Sequence, residues 1–87
     1  MYTPEEIKTA AIEKAVNFIP HHKCGICYCP VGYAIYPMTP YDVYFDSRCD
    51  CSAHSRPQLT NWESIAHWIN QHTGEELEKY KALLGLP

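Results

Sequence analysis

Cysteine and histidine crowd two short stretches of this chain. The first, HHKCGICYCP at residues 21–30, holds His21, His22, Cys24, Cys27 and Cys29; the second, RCDCSAH at 48–54, holds Cys49, Cys51 and His54. Thiolate sulfur and imidazole nitrogen are preferred ligands of Zn²⁺, which takes four of them in a tetrahedron. Cys24-Gly-Ile-Cys27 presents two thiolates from one tight turn, with Gly25 easing the backbone. Cys49-Asp-Cys51 offers a second pair, because residues two apart on an extended strand project to the same face. Cys51-Ser-Ala-His54 is a rival second pair, with His54 in place of Cys49, and Cys29 is the odd thiol and a further alternate ligand. The expected metal ligands are therefore Cys24, Cys27, Cys49 and Cys51.

The neighbouring His21 and His22 point in different directions on a regular backbone and read as a solvated lead-in to the cysteines. Asp50 lies between two expected ligands, yet no H-x-E or H-E-x-x-H pattern accompanies it. A catalytic zinc keeps one position open for water, and here thiolates are numerous enough to close the shell. No enzyme is expected, and no catalytic residue is assigned.

Other uses of the cysteines stay open. The count of five is odd, and the opening MYTPEEIKTA lacks the basic start and apolar core of a secretion signal. A disulfide framework fits that setting poorly, and a cytoplasmic location is the expectation. The C-x-x-C-x-C run departs from ferredoxin spacings, which weighs against an iron–sulfur cluster without removing it. A C-x-x-C redox couple would sit at a helix start in a βαβ unit. Buried, inert cysteines are the plainest alternative.

Eighty-seven residues make one domain, 1–87, with a thin core that a metal would help to hold. The formal charge is −3, and the seven lysines and arginines are scattered, not gathered into the patch that nucleic acid requires. Nucleic acid is therefore not an expected partner. No apolar run approaches the roughly 18 residues of a membrane span. An acidic surface directs attention to a protein partner.

Flanking elements must position the clusters. Thr3 and Glu6 form a capping-box pattern with Pro4 at the first helical position, and the apolar spacing of Ile7, Ala11, Ala15 and Phe18 predicts a helix over about 4–18. Residues 31–36 and 41–48 are apolar and aromatic and read as a hairpin around Pro37-Met-Thr-Pro40. With the tip between Met38 and Thr39, Val31 faces Asp46 and Cys29 faces Arg48. Residues 52–59 read as a linking loop. Thr60 and Glu63 predict the next helix start, with Trp62, Ile65, Ala66 and Ile69 on one stripe. Thr73–Glu76 restarts a helix that ends at Gly85, so one or two helices fill 61–84. Trp62, Trp68 and Phe18 read as packing residues.

A C-x-x-C opening a hairpin and a second ligand pair ending it resembles a zinc ribbon, over residues 24–54. With the helices read on either side of it, the expected fold is α+β: a small zinc-stabilised, zinc-ribbon-like hairpin flanked by an N-terminal helix and one or two C-terminal helices. Such modules serve many roles. The expected function is a small structural-zinc protein that acts as a protein–protein interaction module. Its size and acidity suit an adaptor or an inhibitor of a larger complex, such as the accessory proteins of a phage or mobile element. Tyr33, Tyr36, Tyr41 and Tyr44 form the candidate partner surface, since tyrosine is enriched at interfaces. A nucleic-acid-binding ribbon, with aromatics stacking on bases, and a metal-dependent enzyme are the alternatives.

Overall fold

The computed structural model describes residues 1–37, 41–49 and 56–87. The expected hairpin tip at Met38 and Thr39 and the candidate ligands Cys51 and His54 lie outside the described residues. The chain divides into two compact units. One combines residues 1–16 with 61–87 and is helical; the other, 17–60, is an antiparallel sheet. Three helices and four strands make the fold α+β.

In the helical unit, α1 (Pro4–Glu13) begins with the expected capping box. The Glu6 N–H donates to Thr3 Oγ1 at 3.1 Å, and the Thr3 N–H donates to Glu6 Oε1 at 3.1 Å. The helix stops five residues before the expected end at Phe18. Ala15 adopts φ 52°, its N–H donates to the Ile12 carbonyl, and the Val16 N–H donates to the Ala11 carbonyl at 2.9 Å. This pair of bonds satisfies the last carbonyls in the way a glycine-ended helix does. Alanine there hides the stop from a reading based on residue type.

α2 (Trp62–Asn70) and α3 (Gly74–Leu84) are separate helices. The cap of α2 is Asn61, whose Oδ1 accepts from the Ser64 N–H at 2.8 Å, and not the expected Thr60. Gly85 closes α3 in the left-handed region, at φ 68°. Ile7, Ala11, Ile65, Ala66, Ile69 and Leu84 are buried in this unit. Asn70 clamps the backbone of Tyr2: its side chain accepts from the Tyr2 N–H at 3.0 Å and donates to the Tyr2 carbonyl at 2.8 Å. Trp68, His72 and Tyr80 meet edge to face at 4.7–5.1 Å and join α2 to α3. No helix among the described residues is long and apolar enough to cross a membrane.

The sheet unit has the strand order β1 (Phe18–Lys23), β2 (Pro30–Ile35), β3 (Val43–Ser47), β4 (Gln58–Thr60). β2 and β3 are the expected hairpin. β1 occupies ground assigned to the end of helix one and its lead-in, and β4 ground assigned in part to a loop. Val31 faces Ser47, one residue away from the expected Asp46. A one-residue slip exchanges the faces of a strand, and here it sets Val31, Tyr33 and Ile35 beside Val43, Phe45 and Ser47. Ile19, Val31, Tyr33, Ile35 and Val43 are all buried on that face.

β1 carries a bulge. Pro20 faces Gly32 and His22 faces Val31, so His21 is the extra residue. Gly32 is where β1 comes closest: a Cβ at this position would run into the Ile19 carbonyl oxygen and lie 2.9 Å from the His21 nitrogen. Both obstacles are backbone and cannot swing aside. Gly32→Ala should therefore destabilise the fold by about 2 kcal/mol or more. Ala15→Gly should have the opposite sign, with a net gain of about 0.5–1 kcal/mol, because glycine removes the left-handed penalty at the helix end. Urea denaturation of both variants checks the pair.

Candidate metal centre

The turn from β1 to β2 is built by the first cysteine group. The Cys24 N–H donates to the Cys29 carbonyl at 2.9 Å, extending the β1–β2 ladder past Lys23 and Pro30. The Tyr28 N–H donates to the Cys24 carbonyl at 3.0 Å, which folds residues 24–28 into a knuckle. Within it the Ile26 N–H is aimed at Cys24 Sγ, 3.5 Å away. A backbone donor on sulfur favours the thiolate that a metal needs. Tyr28 closes the knuckle at φ 60°, a costly conformation for an aromatic residue.

The third sulfur arrives from the other side of β2. The Arg48 N–H donates to the Pro30 carbonyl at 2.9 Å, one step beyond the regular pairing of β2 with β3. This step delivers Cys49 to the knuckle. The Sγ atoms of Cys24, Cys27 and Cys49 lie within 4.8 Å of one another. Thiolates held about 2.3 Å from one tetrahedral ion sit about 3.8 Å apart, so small side-chain movements close the shell. Among the described residues no carboxylate or imidazole belongs to this group. Cys24 is buried at 1% exposure, Cys49 is half-buried and Cys27 faces solvent. Cys49 Sγ also lies 3.6 Å from Ser47 Oγ. The three sulfurs can hold a metal ion.

The structure brings together three of the four expected ligands, and Cys51 lies outside the described residues with His54. Cys29 is half-buried and stands apart from the three-sulfur group. It serves the knuckle through its carbonyl. His67 and His72 bond locally: His67 Nε2 is 3.0 Å from Gln71 Nε2, and His72 Nδ1 donates to the Trp68 carbonyl at 2.8 Å.

His21 and His22 are where the sequence reading fell short. They lie in β1, not in a lead-in loop, and they do not point apart. The bulge turns both imidazoles to one side, with their Nδ1 atoms 2.9 Å from each other. Pro20 was the available signal, because proline inside a strand is confined to edges and bulges.

The tyrosines divide between the two faces of the sheet. Tyr33 is 8% exposed and packs edge to face on Phe45 at 5.4 Å, so it belongs to the buried face and offers a partner little area. Tyr36 and Tyr44 meet at 5.2 Å on the opposite face, where the Tyr36 hydroxyl donates to Asp46 Oδ2 at 3.3 Å. Arg48 lies over the Phe18 ring at 4.5 Å. Tyr41 is half-buried at φ 64° in the turn after β2. Burial pushes the Tyr33 hydroxyl above its usual range of ionisation. Lost hydration raises Tyr36, and the adjacent Asp46 carboxylate adds to that, with Arg48 opposing.

The raised Tyr33 value has a consequence for stability. Above about pH 10 the unfolded chain loses this proton while the folded chain keeps it, so stability falls as pH rises through the folded value. Tyr33→Phe should flatten that alkaline decline. Between pH 8 and 11 the wild-type urea midpoint should fall relative to that of the variant, and parallel curves would contradict the assignment.

In comparisons with protein families, curated proteins and solved structures, the chain matches none.

Proposed function

We propose that this is a small protein held together by structural Zn²⁺ and working through a protein partner. The convergence of the Cys24, Cys27 and Cys49 sulfurs within 4.8 Å carries the metal reading. Cys51 supplies the fourth ligand. The spacing Cys49-Asp-Cys51 in the sequence supports that assignment. Four thiolates close the tetrahedron and leave zinc no position for substrate, which supports a structural over a catalytic role. The burial of Cys24 points the same way, since a structural ion is built into its surroundings. Zinc binding then contributes to folding directly, on the order of 10 kcal/mol in small zinc domains.

The partner reading rests on the sheet face that carries Tyr36 and Tyr44. Tyr36 is 37% exposed and Tyr44 half-buried, and their paired rings present apolar area, with the Tyr36 hydroxyl beside Asp46. Rigid aromatic area of this kind anchors protein interfaces at low entropic cost. The scattered basic residues and net charge of −3 favour a protein over nucleic acid.

Both parts are testable. A strong chelator should abolish the sheet signal in circular dichroism, and added Zn²⁺ should restore it; a chelated protein with an unchanged spectrum would overturn the structural role. Cross-linking in the source cell should capture a protein partner with the wild type and lose it with Tyr36→Ala plus Tyr44→Ala at unchanged zinc content. Retention of the same partner by that variant would remove this face from the account.

A further inference from the structure

The bulge in β1 creates an arrangement that the thiolates do not use. Adjacent residues of a regular strand face opposite sides of a sheet. Here the imidazoles of His21 and His22 share one side, with ring centres 5.1 Å apart and Nδ1 atoms 2.9 Å apart. Both rings rest against Phe45, at 5.3 and 6.1 Å, and His21 also against Tyr33 at 5.8 Å. These contacts restrict rotation of the rings. His22 is exposed and His21 half-buried, so an ion can reach the pair from solvent.

We propose that His21 and His22 form a metal site separate from the cysteines, chelating one divalent ion of the nickel or copper type through their Nδ1 atoms. Nitrogens about 2.0–2.1 Å from an ion and at right angles across it are about 2.9 Å apart; a tetrahedral ion spreads them to about 3.4 Å. The observed 2.9 Å is the length of an N–H···N hydrogen bond, and it also spans the right-angle set of square-planar and octahedral ions such as Ni²⁺ and Cu²⁺. Neutral imidazole suits both. Water completes the shell, so the bound ion keeps positions that an external ligand can take. The competing use of the same contact is a proton shared between the rings, the N–H of one donating to the bare nitrogen of the other.

Titration calorimetry of Ni²⁺ into the full chain, with its cysteine-bound metal retained and a non-chelating reductant present, separates these uses. One equivalent should bind. His21→Ala and His22→Ala should each weaken binding on the order of tenfold to a hundredfold, the usual effect of losing one arm of a chelate. His67→Ala plus His72→Ala should change nothing. A second readout needs no variant: nickel added to the wild type should broaden the ring NMR signals of His21 and His22 before those of other histidines. Binding that persists unchanged in both single variants would overturn the site. So would the absence of heat and of selective broadening, or nickel uptake matched by release of the cysteine-bound metal.

Discussion

The Arg48 N–H reaches the Pro30 carbonyl at 2.9 Å, one rung past the regular β2–β3 ladder, and that rung decides where Cys49 goes. A metal centre made from distant parts of a chain needs its ligands brought together by something other than the metal. Here backbone pairing does this on both sides of β2. The Cys24–Cys29 bond closes the ladder towards β1 and the Arg48–Pro30 bond extends the one towards β3. Pro30 sits at the first position of β2, where proline is tolerated, and its carbonyl remains available to the ladder. The metal would then lock an arrangement the sheet has already roughed out.

The same central strand explains the histidines. Gly32 lets the β1 backbone approach closely, and opposite it the extra residue His21 is inserted. A bulge bends its strand and re-aims side chains. In this one the result is two imidazoles on one side, packed against Tyr33 and Phe45. A glycine without a side chain lets β1 approach closely enough for the bulge that sets the two imidazoles side by side.

Much of this was legible in the sequence, because the signals were local. The capping box at Thr3 and Glu6, the apolar and aromatic runs of β2 and β3, and the stop at Gly85 each depend on a few neighbouring residues. The cysteine spacing announced a metal-competent turn, and the convergence of Cys24, Cys27 and Cys49 follows from it once the hairpin is placed. What was missed depends on partners far along the chain. β1, with its pattern FIPHHK, alternates poorly because of the bulge, and it becomes a strand only through pairing with β2. β4 is three residues long and is defined by its ladder to β3. Helix one ended early because alanine took a left-handed conformation that residue type does not announce. The register of β2 on β3 differs by one residue from the one expected with the tip at Met38 and Thr39, which lie outside the described residues.

X-ray absorption at the zinc edge, on protein purified without added metal, tests the central claim most directly. The account predicts one zinc per chain surrounded by four sulfurs at about 2.3 Å. Folded protein that carries no metal, or zinc bound by nitrogen and oxygen in place of the Cys24, Cys27 and Cys49 sulfurs, would contradict it.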